Sequence, residues 1–448
     1  MQNHLIRLQC GLNSYDWGKI GRNSAAARLA AATPTSDFVI EDIPYAELWI
    51  GTHPSNPSKD VQTKRTLLEL IQEDHNLIST NICERFGNKL PFLLKVLSIE
   101  KALSIQAHPN KKLAEQLHQK DGKNYPDNNH KPEMTIAITY FEGLCGFRPL
   151  IEILHFLNTV NPLQNLVGGS NVQEFKDTIE SIQVSENADN ERAVKDGLRK
   201  IFNCLMQSKP DKIISASKAL LNEARDLGPT FAGGGGPSNT GEEMAQLVMR
   251  LSQQYPDDIG LFVLFFLNYV KLEPGEALFL GADEIHAYLS GDVIECMAAS
   301  DNVIRAGFTP KFKDTDTLVS MLTYSCAPIE KQKMQPVDYP YVTLNSKAYS
   351  SGSYVTLYDP PIDEFSVVKT ELKNKASKAT FEQISGPSVL ICTSGNGRIV
   401  ANSSVEDVHA GYVYFVGANT GVILESDDTE FTTFRAFCEL PLPQNSNL

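Results

Sequence analysis

The chain has 448 residues, 42% of them hydrophobic, and a formal net charge of −14. That length exceeds one ordinary domain and supplies enough apolar side chains for at least two cores. The acidic balance, with no basic block against it, excludes a surface built for nucleic acid or for an anionic membrane. Eight cysteines (Cys10, Cys83, Cys145, Cys204, Cys296, Cys326, Cys392, Cys438) are scattered without a Cys-x-x-Cys pair, which reads as reduced thiols in a cytoplasmic protein. No secretory apolar stretch opens the chain, and the most apolar run, Leu261 to Leu267, is far shorter than the ~20 residues of a spanning helix. A buried element is the expectation there.

From Leu90 to Leu103 the chain is dense in Leu, Val and Ile, and Ser104-Ile105-Gln106-Ala107-His108 alternates in polarity. A strand would put Ser104, Gln106 and His108 on one face. Pro109 breaks that pattern, and Lys111 to Lys120 has the period of a short helix. Near Leu150 the texture changes: Ile151 to Leu157, Ala193 to Leu205, Lys212 to Leu227 and Glu242 to Gln254 all show helical spacing. Inside this helical insert lies the glycine-rich run Ala232 to Thr240. No strand precedes it and no Gly-Lys-Ser/Thr follows, so a flexible helix connection is expected there rather than a phosphate cradle.

After about Pro256 the pattern becomes β, with Ala277 to Leu280, Ile285 to Leu289 and, past Ser290-Gly291, Val293 to Met297. Short runs such as Tyr412 to Val416, separated by Ser/Gly/Asp clusters, continue it to the C-terminus. Strands at such intervals suggest double-sheet rolls. A faint repeat aligns Gly275 to His286 with Gly411 to Val422, glycine on glycine, with Val422 where the first copy has His286. The second copy is expected to be structural.

Gln106, His108, Glu133 and His286 form the most informative constellation. Two imidazoles, a carboxylate and an amide oxygen suit zinc, with room left for water or substrate. Structural zinc sites are usually closed by thiolates, so this set reads as open and catalytic. Any single histidine is more often a hydrogen-bonded core residue, and it is the agreement of four positions that points to a metal.

Six blocks in order carry a resemblance: Tyr15 to Gly18, Ala46 to Pro54, Leu90 to Leu97, Ser104 to Asn110, His130 to Glu133 and Asp301 to Phe308. They resemble those of the type I mannose-6-phosphate isomerases (phosphomannose isomerases). The resemblance implies a mainly β fold with a helical insert, in which two cupin-like double-sheet domains of jelly-roll type accompany an α-helical domain. The expected boundaries are 1–149 and 257–330 for the catalytic cupin-like domain, 150–256 for the helical domain and 331–448 for the C-terminal cupin-like domain. It further implies one Zn2+ per chain on Gln106, His108, Glu133 and His286. The implied reaction interconverts D-mannose 6-phosphate and D-fructose 6-phosphate through a cis-enediol, supplying mannose 6-phosphate for GDP-mannose and glycan synthesis. A sugar phosphate is then the partner, and a monomer the expected state.

Such a reaction must polarise a carbonyl, hold a developing oxyanion and move a proton between C2 and C1. Arg305 and Lys131 would make the pocket locally basic inside an acidic protein. Glu295, flanked by Val293, Ile294 and Met297, is the first choice of base, with His130 and Lys131 as alternatives and Asp301 as a group that could orient Arg305. Taken alone, Glu295 reads as a solvated strand residue. Phosphate recognition is expected from Ser104, Lys95 and Lys311. Trp49 and His53 are expected to pack or cap the site, while His75, His118, His155 and His409 have no comparable neighbourhood. Two other readings share the roll: an iron-dependent oxygenase with two histidines and a carboxylate, and a sugar-binding protein without catalysis. A fourth protein ligand, the flanking cations and the carboxylates favour the zinc isomerase.

Overall fold

A computed structural model describes residues 4–33, 38–183 and 189–440. The run of Leu, Val and Ile after Leu90 becomes the strand Phe92–Ile99, every residue of which is buried because both of its faces are covered. It is central to an antiparallel sheet ordered Leu267–Leu272, Phe141–Phe147, His286–Ala298, Phe92–Ile99, Glu47–Ile50, Gly11–Asn13. Ile105–Ala107, Glu133–Ala137, Ala277–Leu280 and Ile304–Gly307 branch from this path.

One strand organises the roll. His286–Ala298 pairs through its first half with Phe141–Phe147 and Gln106, and through its second half with Phe92–Ile99 and Glu133–Ala137. Ser290-Gly291 therefore does not separate two strands, as the sequence suggests, but lets one strand bend. Gly291 has φ +116°, and a Cβ on it would lie 2.6 Å from the Tyr140 carbonyl oxygen. Only glycine accommodates both demands.

The C-terminal part is a sandwich. An eight-stranded sheet runs Val337–Asp338, Tyr354–Tyr358, Ser366–Lys373, Glu430–Phe437, Ser388–Ser394, Val413–Val416, Leu5–Gln9, Lys59–Asp60, and faces the five-stranded sheet Val342–Leu344, Lys378–Ile384, Thr420–Ser426, Asn396–Ala401, Ser404–His409. Strand alternation divides its side chains between two cores. Val368, Leu390 and Phe431 pack inside the sandwich. Val367, Ile391, Phe415 and Phe434 turn the other way and pack on Met134, Ile136, Ile294 and Cys296, the reverse side of the site-bearing strands. The strand Leu5–Gln9 pairs with Val413–Val416, so the start of the chain contributes to the sheet made mostly by its end.

The internal repeat has a conformational signature. Gly275 and Gly411 have φ of +93° and +94°, and the aligned Asp283 and Asn419 have +64° and +56°. Both copies thus turn from strand to strand through left-handed residues at matching places.

Between the halves of the site strands lie helices Leu150–Thr159, Asn161–Val167, Gly169–Gln183, Asp189–Met206, Pro210–Leu227 and Gly241–Gln254. The pair within Asn161–Gln183 was not among the expected helices. Leu261 to Phe266 are fully buried against this bundle, as the apolar run predicts. The glycine-rich stretch is an ordered hairpin, Gly235–Gly236 on Asn239–Thr240, rather than a loose connection. Gly235 has φ +91°, and a Cβ there would fall 2.2 Å from the Asn239 carbonyl oxygen. Thr240 then caps the next helix in a capping box with Glu243. All eight cysteines are free thiols. Among the described residues no helix is long and apolar enough to cross a membrane.

Candidate active site

The site forms where the two ends of the bent strand meet short strands from earlier in the chain. His286 opens that strand directly opposite Gln106, and Gln106 is also opposite Arg305 on its other side. Residues directly opposite one another project from the same face of a sheet, so Gln106, His286 and Arg305 share one wall. The second half of the strand sets another row, Trp49, Lys95, Glu295 and Thr135 across four strands, with Glu133 two residues from Thr135 on the same face.

His108, Glu133 and His286 converge, with one ligand atom from each lying within 4.8 Å of the others. Glu133 Oε1 is 3.3 Å from His108 Nε2, and Glu133 Oε2 is 3.2 Å from His286 Nε2. Both rings are oriented from behind: His108 Nδ1 meets the Asn302 carbonyl oxygen at 2.6 Å, and His286 Nδ1 meets that of Glu284 at 3.0 Å. Each Nδ1 proton is donated away, which leaves each Nε2 lone pair aimed inward. Asn302 is itself fixed, its amide donating to the Asp127 and Asn129 carbonyl oxygens at 2.7 and 2.9 Å.

Three buried atoms, His108 Nε2, His286 Nε2 and Glu133 Oε2, lack a hydrogen-bond partner. Leaving such atoms unmatched costs about 1–3 kcal/mol each, and a divalent cation between them would satisfy all three. Burial holds His108 neutral, with its pKa lowered to about 4, the form that ligates. Burial alone would raise the Glu133 pKa, but the charge of Lys131 beside it helps bring it below the usual range. Lys131 Nζ lies 3.2 Å from Glu133 Oε1. Gln106 Oε1 accepts a hydrogen bond from Ser104 Oγ at 2.9 Å, so Ser104, expected at the phosphate, orients the fourth candidate ligand.

Lys95 also departs from its expected phosphate role. Its ammonium is buried between Glu295 Oε2 at 3.1 Å and Glu47 Oε1 at 3.6 Å, and lies 5.1 Å from the Trp49 ring centre. Burial opposes the charge, yet Glu295 and Glu47 outweigh it and raise the Lys95 pKa. A cation already held by two carboxylates has little left to offer a phosphate. Glu295 is 3% exposed, and burial raises its pKa against the pull of Lys95. It is not the solvated strand residue that its type alone would suggest.

Asp301 does not orient Arg305. Its carboxylate meets His53 Nε2 at 3.1 Å, and the His53 ring packs edge-on against Trp49 at 4.8 Å. The segment before Ile304 is neither helix nor strand, so the four-residue spacing places no contact between the two charges. Arg305 is half-buried, its pKa lowered by burial, and no carboxylate pairs with it among the described residues. Lys311 is exposed in the loop after the Arg305 strand. His130 Nε2 contacts Glu364 Oε1 at 2.6 Å. Glu47, Tyr15 and Glu364 were not assigned from sequence. The first two lie within motif blocks, and Tyr15 has its pKa raised by burial and by the nearby charges of Glu47 and Asp301.

Fold and site together define a cupin-like protein of two β units and a helical insert, with a buried His108, Glu133 and His286 cluster able to hold a metal ion. Models of phosphomannose isomerase type I match this chain in three parts: the catalytic domain over residues 5–150, the helical insertion domain over 166–267 and the C-terminal part over 356–404. The mannose-6-phosphate isomerase of Aspergillus fumigatus is 61% identical over 97% of each chain, and that of Saccharomyces cerevisiae 46% identical over 98% of this chain and 100% of its own. Among solved structures, a mannose 6-phosphate isomerase bound with zinc and yttrium is 28% identical with a TM-score of 0.76, covering 98% of this chain and 100% of its own. A mutant phosphomannose isomerase from Salmonella typhimurium is 28% identical with a TM-score of 0.75, over 97% and 100%. The chain belongs to the type I phosphomannose isomerase family, and it is an isomerase.

Proposed function

We propose that this chain interconverts D-mannose 6-phosphate and D-fructose 6-phosphate through a cis-enediol, with one zinc ion held by Gln106, His108, Glu133 and His286. The observation that carries this reading is the convergence of His108, Glu133 and His286 with unpartnered buried atoms facing inward. The relatives' names and the zinc of the structural neighbour support it. When bound, the ion would supply Lewis acidity and a template for the sugar oxygens. Lys131 and Arg305 add fixed positive charge where the enediol oxygens develop negative charge. Glu295, kept basic enough by burial and held in place by Lys95, is the proposed group that carries the proton between C2 and C1. His130 is a second proton-transfer group, and Asp301 positions His53 at the wall. Lys311 remains the proposed contact of the phosphate, while Ser104, whose hydroxyl donates to Gln106, holds that ligand. The proposed cellular consequence is a supply of mannose 6-phosphate for GDP-mannose and glycan synthesis.

Glu295→Gln tests the division of labour. It should keep its zinc while kcat drops by about 100- to 10,000-fold, the usual contribution of a general base. Unchanged turnover in that variant would remove Glu295 from the reaction.

A further inference from the structure

His130 is held by a residue from a distant part of the chain. Glu364 lies between the strands Tyr354–Tyr358 and Ser366–Lys373 of the C-terminal sandwich. Its Oε1 is 2.6 Å from His130 Nε2, and Glu364 is 9% exposed. Burial alone would raise its pKa, but the hydrogen bond from His130 lowers it, with a smaller contribution from Lys111. The loop that carries Glu364 is pinned on both sides. The Asp363 carboxylate pairs with Arg85, the Asp363 carbonyl oxygen accepts from Cys438 Sγ at 3.2 Å, and Phe365 is buried in the core shared by the two β units. Glu364 is therefore delivered to His130 by a rigid seam rather than by a mobile side chain on an open surface.

We infer that Glu364 is a positioning residue for the isomerase reaction, fixing His130 as the Nε2–H tautomer with Nδ1 bare. This rests on the isomerase reading above. A carboxylate at 2.6 Å accepts only from a ring nitrogen that carries a proton. With Nε2 so engaged, Nδ1 has no partner among the described residues, and it belongs to the residue next to Lys131, whose ammonium touches the metal-ligand set. A bare Nδ1 on an oriented ring can take up a proton and return it, the arrangement in which a carboxylate serves a histidine base without touching the substrate. The C-terminal unit, which carries Val422 where the first unit carries His286, then contributes to chemistry through Glu364 despite lacking that ligand.

The test combines a tautomer measurement with a double-mutant cycle. In zinc-loaded protein labelled with 15N at histidine, the His130 ring, assigned by its loss in His130→Ala, should show a protonated Nε2 and a bare Nδ1. Glu364→Gln should keep its zinc and KM within about twofold while kcat falls about 10- to 100-fold, the size typical of an orienting partner. In the His130→Ala background the same Glu364→Gln change should alter kcat less than about twofold, because the residue it serves is gone. If Glu364→Gln does not fold, His130→Ala in otherwise native protein must itself lower kcat by at least about tenfold. A proton on Nδ1 with Nε2 bare, a kcat within twofold of the parent, or an equal loss in both backgrounds would each overturn the inference. A zinc-loaded parent with no turnover would sink the isomerase reading instead, and the tautomer would still decide the pairing.

Discussion

Replacing Lys95 by methionine keeps the length and most of the apolar stem and removes only the ammonium. In the native protein that charge lies 3.1 Å from Glu295 and 3.6 Å from Glu47, in a row whose members are 6%, 3% and 7% exposed. Glu47 keeps one donor, Trp49 Nε1 at 2.8 Å, whereas Glu295 loses its counter-charge. Breaking a buried pair from one side costs about 3–5 kcal/mol, because the remaining charge is neither solvated nor matched. The loss should depend on pH. The folded-state pKa of Glu295 is already raised by burial and rises further without Lys95, so between its unfolded and folded pKa values the folded protein binds more protons than the unfolded chain. Stability then falls as pH rises through that window, by up to about 1.4 kcal/mol per pH unit, and recovers on acidification. Urea unfolding of zinc-loaded Lys95→Met, followed by the fluorescence of Trp17 and Trp49, should show the full loss at pH 8 and a smaller one at pH 6. A loss under about 1 kcal/mol at both pH values would mean that the three groups do not depend on one another.

Glu133→Gln removes the anionic member of the ligand set and leaves Lys131 without its carboxylate. Bound zinc, measured by atomic absorption after gel filtration, should fall from one per chain towards zero, while Glu295→Gln should retain it. Arg305→Met should change the unfolding midpoint little, because no carboxylate is left unpaired, yet lower kcat/KM by at least about tenfold in a direct turnover assay. Gly235→Ala should destabilise the helical insert by about 1–3 kcal/mol in a thermal melt, since φ +91° and the Asn239 carbonyl oxygen both exclude a Cβ.

What the sequence made legible was local. Strand alternation pointed to Gln106 and His108 as neighbours, and the helical spacing from Ile151 onwards marked the insert. The repeat around Gly275 and Gly411 was visible as residue types whose left-handed backbone the fold then requires. What it left hidden depends on register between distant strands. Lys95 looks like any lysine near a phosphate-binding motif until the pairing of Phe92–Ile99 with His286–Ala298 sets it opposite Glu295. Ser290-Gly291 reads as a turn because a glycine that bends a strand and one that ends it have the same local chemistry. Asp301 and Arg305 have helical spacing without a helix, and Glu364 reaches His130 across 234 positions, beyond any periodicity. Sheet sharing between Leu5–Gln9 and Val413–Val416 is hidden for the same reason.

The proposed interconversion of mannose 6-phosphate and fructose 6-phosphate requires a cation on His108, Glu133 and His286, with Gln106. The most direct measurement is conversion of mannose 6-phosphate by the purified protein as isolated, after chelation and gel filtration, and after zinc is returned. Turnover should disappear on chelation and return with about one zinc per chain. Turnover that persists in fully metal-free protein, or its absence from folded, zinc-loaded protein, would contradict the proposal.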